Sequence, residues 1–222
     1  MTNVDAALAL VNDGMTLGLG SGSASENFIR GLGERVRAGL RIRGVPTSNG
    51  SAKLAAACGI PLAELADAIP LDMTIDGADE VDGHLDMIKG YGRALVREKI
   101  VAAASKRLVI LIGPEKIGIK RVDVLGRRGL LPIEVVPFAV PLVRARLAAL
   151  HMPAELLVEA GAPFVSDNAN HILHAAVTAI PDPAATEATL LQIPGVVGTG
   201  LFVNMADVVF AQVGDRVEEL RR

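Results

Sequence analysis

The chain has 222 residues, one large domain or two small ones, with half its residues hydrophobic and 21% charged, enough to bury a full core. Aromatics make up only 3% and the formal net charge is -3, which argues against base-stacking nucleic-acid modules and against a broad basic surface for a phosphate polymer. The single cysteine, Cys58, rules out an intrachain disulfide, and no signal-like segment or run of about 18 apolar residues occurs, so the reading is a soluble cytoplasmic protein with no membrane or nucleic-acid partner.

Apolar runs alternate with helical patterns through the first half. Thr16 to Gly20 reads as a short strand ending in glycines, and Ser25 to Arg37 as a helix with Phe28, Ile29, Leu32 and Val36 on one side. Leu40 to Val45 is a second strand, and Ser51 to Cys58 a helix stopped by Gly59. Leu71 to Ile75, a helix over Arg93 to Ser105, and the apolar run Arg107 to Ile112 follow. Continuous apolar strands separated by helices predict a parallel sheet covered on both faces. After about residue 124 the elements shorten and prolines become frequent. Strands are expected over Leu131 to Val136, Glu155 to Glu159 and His171 to Ala175, with helices over Ala139 to Leu150 and Ala184 to Leu191. Gly200 to Asn204 and Asp207 to Gln212 read as strands returning to the first unit. The fold class is α/β, with residues 1–124 plus 199–222 as one domain and residues 125–198 as a small α+β subdomain that supplies an oligomer interface.

Three turns could carry chemistry. Gly18 to Ser25 follows a strand and opens a helix; its small residues, hydroxyls and helix N-terminus suit an anion, and equally a tight turn. It lacks a GxGxxG fingerprint and a Gly-Lys-Ser/Thr, which argues against a dinucleotide or Walker site. Thr47, Ser48 and Ser51, after the second strand, read either as crevice lining or as a helix cap. Asp76-Gly77-Ala78-Asp79-Glu80 ends the third strand, so Asp76 and Asp79 can share a crevice, where one carboxylate would raise the pKa of the other. The spacing is not that of an EF-hand and no His pair is near, so no metal is expected. Asp82 and Asp86 read as solvated, and His84 as a surface residue.

Lys89, in the turn Lys89-Gly90-Tyr91-Gly92, can hold a phosphate or neutralise an oxyanion. Glu98 shares a helix side with Ala94, Leu95 and Ala102 and is expected to be half-buried. From the residues alone it is either a general base or the partner of Lys99 or Arg93 in a buried salt bridge.

Read together, these segments resemble the type A family of ribose-5-phosphate isomerases. The likeness is carried by GLGSGS, PTS…SAKLAAACGIPL, DGADEVD, IKGYGRALVREKIVAAAS, the lysine of GPEK, VDVLG…LPIEV, SDNANHIL and IPGVVGTGLF, in that order. It implies a Rossmann-like domain with a ferredoxin-like subdomain. It also implies cofactor-free aldose–ketose isomerisation of a C5 phosphosugar through an enediol, in the pentose phosphate pathway, by a homodimer or homotetramer. Glu98 would move the proton between C2 and C1, Asp76 and Asp79 would assist ring opening and hydroxyl proton transfer, and Lys89 would stabilise the enediolate. Ser21, Gly22, Ser23, Ala24, Gly77, Ala78, Gly90, Tyr91, Gly92 and Lys116 would bind the substrate. Alternatives are an isomerase of another phosphosugar, a non-catalytic phosphosugar-binding module and, ranked last, a coenzyme A transferase-like enzyme.

The chain departs from the family pattern at the rim. Ala24 lacks a hydroxyl that the usual GTGST supplies, with Ser25 as a candidate replacement. Tyr91 and Arg93 interrupt the usual KGGGxAL, Gly113-Pro114-Glu115 precedes Lys116, and Gly129-Leu130-Leu131-Pro132 replaces FPLP. These changes leave Asp76, Asp79, Lys89 and Glu98 in place.

Overall fold

A computed structural model describes residues 1–113 and 121–222. In chain order, α1 (Asn3–Leu8), β1 (Thr16–Leu19), α2 (Ser23–Arg37), β2 (Arg43–Pro46), α3 (Asn49–Ala57) and β3 (Met73–Gly77) come first. Two short strands, β4 (Glu80–Val81) and β5 (Met87–Ile88), precede α4 (Leu95–Ala103) and β6 (Leu108–Ile112). Next come β7 (Leu130–Val135), α5 (Val140–Ala149), β8 (Ala154–Leu156), β9 (Val158–Glu159), β10 (Ala162–Pro163), β11 (His171–Ala176), α6 (Pro183–Leu191) and β12 (Val196–Thr199). The last elements are β13 (Leu201–Phe202), β14 (Val208–Val213) and β15 (Arg216–Arg221).

The main sheet has the order β15-β14-β6-β3-β1-β2. Its strands are parallel except β15, which pairs antiparallel with β14. The chain runs outward from β1 to β2, then returns to the other side of β1 for β3. The strand order therefore reverses between β1 and β3, and a crevice opens at their carboxyl ends. The apolar side of α2 (Phe28, Ile29, Leu32) is fully buried against Leu17, Leu19, Ile75 and Val109. Each such side chain stabilises the fold by on the order of 1.5–3 kcal/mol.

A second core lies between a four-stranded antiparallel sheet, order β12-β7-β11-β8, and helices α5 and α6. With one helix after its first strand and one after its third, this is the split βαβ arrangement. Glu134 on β7 is fully buried; its Oε1 accepts from Ser166 Oγ at 2.9 Å and from the side-chain amides of Asn168 and Asn170 at 3.0 Å each. The loop so anchored reaches the main sheet's helices. Asp167 accepts from the Asn49 backbone and side chain at 2.7 and 2.8 Å, and its carbonyl accepts from Arg97 at 2.6 Å.

The observed elements follow the expected ones with physical differences. The fourth helix begins at Leu95 instead of Arg93, because Arg93 has φ +70 and cannot continue a right-handed helix. Leu40 closes the end of α2 by donating to Arg35 O, so the second strand starts only at Arg43. Glu155 to Glu159 splits into β8 and β9. α1, β12 and β15 were not anticipated: α1 is a single capped turn and a half, β12 is glycine-containing, and β15 (RVEELR) alternates charge with apolar residues at a sheet edge.

Gly18 faces Thr74 across β1 and β3, and a Cβ there would overlap Thr74 Oγ1 and come within 2.6 Å of Val101 Cγ1 on α4. Gly18→Ala is expected to lower stability by about 1–3 kcal/mol. A lower urea midpoint at constant m value would show it, and an unchanged midpoint would refute this packing argument.

Candidate active site

The cleft at the β1/β3 reversal has a volume of about 250 Å³ and is lined by the Ser21–Ala24 turn, Gly77 to Asp79, Lys89 to Gly92, Glu98 and Arg128. Each segment arrives for a local reason. The Ser21–Ala24 turn follows β1, with Gly22 at φ +86 as the N-cap of α2. No side chain caps α2, so its first N–H groups stay available to an anion; α3, by contrast, is closed by a Ser48–Ser51 capping box. Gly20 permits the close approach of Asp76, since a Cβ at residue 20 would collide with the Asp76 carboxylate. Lys89 follows β5 and donates its backbone N–H to Gly200 O at 2.8 Å. Glu98 lies in the first turn of α4.

At the floor of the cleft three ionisable side chains meet, each 3% exposed or less: Asp76, Lys89 and Glu98. Lys89 Nζ is 2.9 Å from Asp76 Oδ2 and 3.2 Å from Glu98 Oε2, and donates to Gly77 O at 2.5 Å. The Phe202 ring lies 5.3 Å from the ammonium. Asp76 is well supplied with donors: its Oδ1 accepts from Ser21 N (3.1 Å), Ser25 Oγ (3.0 Å) and Gly77 N (2.7 Å). Glu98 is not. Its Oε2 is buried close to Lys89 but outside hydrogen-bond geometry, and accepts no hydrogen bond among the described residues. Burial, reinforced by the nearby Asp76 charge and opposed by Lys89, pushes the Glu98 carboxyl up to about 8. Burial would lower the Lys89 ammonium, but the carboxylates of Asp76 and Glu98 outweigh it and hold the lysine above its ordinary value.

Asp79 sits higher, half-buried. Its Oδ2 accepts from Tyr91 N at 2.9 Å, and its Oδ1 is 3.8 Å from an Arg128 nitrogen. The Arg128 guanidinium lies over the Tyr91 ring at 4.6 Å, and Tyr91 donates its hydroxyl to Leu130 O at 2.9 Å. Among the described residues, no group of three or more His, Cys, Asp or Glu side chains is arranged to hold a metal ion. No described helix is long and apolar enough to cross a membrane.

The structure therefore brings Asp79, Lys89 and Glu98 into one cleft with Ser21, Gly22, Ser23, Ala24, Gly77, Ala78, Gly90, Tyr91 and Gly92, while Asp76 does not line the cleft and is buried against Lys89. Lys116 lies outside the described residues. Several expectations change. Glu98 is buried instead of half-buried, and its partner is Lys89; Lys99 pairs with Glu187 and Arg93 with Glu159. The raised group is Glu98, pushed up first by burial and then by the Asp76 charge, with a smaller contribution from Asp79. Ser25 cannot replace the hydroxyl missing at Ala24, because it is fully buried and directed at Asp76. Thr47 and Ser48 hold Ser21 Oγ at 2.8 Å each, behind the cleft wall. Asp82 and Asp86 are buried: Asp82 caps the turn at His84 and Asp86, and Asp86 accepts from Asn204 N and Arg222. Arg128 escaped the sequence reading; the only local signal was the Arg127-Arg128-Gly129 departure before the strand.

The family model for ribose 5-phosphate isomerase A (phosphoriboisomerase A) matches residues 43–215. The ribose-5-phosphate isomerase A of Parvibaculum lavamentivorans is 47% identical over 207 residues, covering 90% of this chain and 87% of that protein. That of Rhodopseudomonas palustris is 47% identical over 97% of this chain and 94% of its own length. Among solved structures, ribose 5-phosphate isomerase A from Methanocaldococcus jannaschii superposes with a TM-score of 0.93 at 35% identity, covering 100% of this chain and 97% of that one. A D-ribose-5-phosphate isomerase in complex with phospho-erythronic acid superposes with a TM-score of 0.94 at 38% identity, covering 99% and 96%.

The Glu98 titration has a thermodynamic signature. Its carboxyl holds a proton in the folded state up to about pH 8, while an unfolded glutamate ionises near 4.5. Unfolding between those values releases a proton, so this contribution to stability is present at low pH and is lost as pH rises through about 8. Glu98→Gln removes the group, so the stability of the variant relative to wild type is expected to increase between pH 5 and pH 9. Parallel thermal melts at those pH values check it; a constant difference would contradict the assigned protonation.

Proposed function

The chain belongs to the ribose 5-phosphate isomerase A family and is an isomerase, and we propose that it interconverts ribose 5-phosphate and ribulose 5-phosphate with Glu98 as the base. One observation carries this reading: a buried carboxyl with a free oxygen, its pKa raised to about 8, lies 3.2 Å from a buried ammonium in the same cleft. Moving a carbon-bound proton needs a base whose affinity for that proton is raised and a fixed positive charge beside the oxygen that becomes anionic.

In the open-chain aldose, ionised Glu98 removes the proton from C2. The electrons form the C1–C2 double bond and the charge develops on O1, facing Lys89. The proton returns to C1 from Glu98 while the O2 hydroxyl proton passes to O1, giving the ketose. Asp76 and Asp79 serve ring opening and the hydroxyl proton transfers. The uncapped start of α2, with Ser21, Gly22, Ser23 and Ala24, receives the phosphate. Gly77, Ala78, Gly90, Tyr91 and Gly92 bound the carbon chain. None of these steps calls on a cofactor. Free Cys58 supports a cytoplasmic site of action, and family membership supports a place in the pentose phosphate pathway.

Wild-type protein, with chelator and no added metal, is expected to form ribulose 5-phosphate from ribose 5-phosphate. Glu98→Gln should lower kcat by roughly 10²–10⁴-fold. Folded wild type that binds the sugar phosphate without turning it over would instead support the non-catalytic binding module.

A homodimer or homotetramer is the assembly that fits the exposed apolar residues around the turn before α5. Phe138 is 95% exposed, and Val136 and Leu142 are also open. Phe138→Asp is expected to shift the sedimentation coefficient toward the monomer; a wild type that sediments only as monomer would reject this assembly.

A further inference from the structure

The structure assigns to Arg128 a role in reading a sugar hydroxyl outside the C1–C2 reacting pair, in concert with Asp79; this rests on the isomerase reading above.

Arg128 is unusually well placed for a loop arginine. Its backbone turn is clamped by Glu80, a fully buried carboxylate. Glu80 Oε2 accepts from Gly126 N at 2.6 Å and Arg127 N at 3.2 Å, and Oε1 accepts from Arg128 N at 2.6 Å. Gly126 (φ +93) and Gly129 (φ +84) supply the left-handed corners on either side. The Tyr91 ring lies beneath the guanidinium, and the Tyr91 hydroxyl is tied to Leu130 O in the strand that follows. Backbone and side chain are thus both fixed before any ligand arrives.

The guanidinium nevertheless keeps its donors unspent. At 3.8 Å from Asp79 Oδ1 it is too far for a hydrogen bond, and it makes no side-chain hydrogen bond among the described residues. Asp79, anchored through Oδ2 to Tyr91 N, likewise keeps Oδ1 available. Both groups line the cleft. A sugar hydroxyl is at once a donor and an acceptor. It can donate to Asp79 Oδ1 and accept from Arg128, satisfying both groups together. An inverted hydroxyl satisfies neither, and leaves a carboxylate and a guanidinium facing a C–H group.

The arrangement also accounts for Tyr91, which stands where the family pattern has glycine. Its ring provides the platform for the guanidinium, and its N–H fixes the carboxylate. Tyr91 is therefore a positioning residue for both halves of the pair.

The test uses phospho-erythronic acid and the two enantiomers of its threonic acid diastereomer, each inverted at one hydroxyl-bearing carbon. Inhibition constants would be measured for wild type, Arg128→Met and Tyr91→Leu alongside ribose 5-phosphate kinetics. Wild type is expected to prefer the erythronic acid over at least one enantiomer. Arg128→Met should weaken the erythronic acid by roughly 10- to 100-fold, the scale of one hydrogen bond to a charged group. It should weaken the disfavoured enantiomer much less, so that discrimination narrows. KM for ribose 5-phosphate should rise by more than kcat falls. Tyr91→Leu should move the same ratios in the same direction. Equal weakening of all three acids would make Arg128 a diffuse charge and overturn the inference, as would unchanged constants. Wild-type turnover in the same assays separates this failure from a failure of the isomerase reading.

Discussion

A single buried ammonium, Lys89 Nζ, joins three parts of the chain. It reaches the end of β3 through Gly77 O and Asp76, the first turn of α4 through Glu98, and its own segment is held by Gly200 just before β13. An ion of this kind costs several kcal/mol to bury and is retained only when its partners are close and well supplied. Asp76 meets that condition with three further donors. Glu98 does not, and its oxygen is left bare. The asymmetry separates two acids on one lysine: Asp76 is engaged by several donors, while Glu98 keeps a bare oxygen.

The main sheet makes this possible. Reversal of strand order between β1 and β3 opens the crevice, and the absence of side chains at Gly18 and Gly20 lets β3 and α4 close in from one side. The antiparallel subdomain supports it through the loop anchored on Glu134 that reaches Asn49 and Arg97, and a separate small sheet, in which β13 pairs with β5, holds the segment before Lys89.

Much of this was legible in the sequence where local chemistry decides structure. The apolar runs of β1 and β6 and the helical stripe of α2 could be read from period alone. The acids and lysine of the cleft stood out because each sits beside a glycine turn or near a helix start. Other features were hidden because they depend on residues distant along the chain. Glu98 has Lys99 and Arg93 nearby in sequence, which made a local ion pair an equal reading, yet these pair with Glu187 and Glu159. Asp82 and Asp86 looked solvated because nothing nearby foretells that the carboxyl end of the chain, at Arg222, returns to cover Asp86. Arg128 could not be assigned without knowing that Glu80 would hold its turn.

The Glu80 clamp has an evolutionary consequence. It grips the 126–128 turn entirely through backbone N–H groups, which every residue but proline possesses. The turn's shape is therefore insured against exchange of the side chain it presents to the cleft. A lineage can try different groups at residue 128 without rebuilding the loop or disturbing the buried Asp76–Lys89–Glu98 cluster.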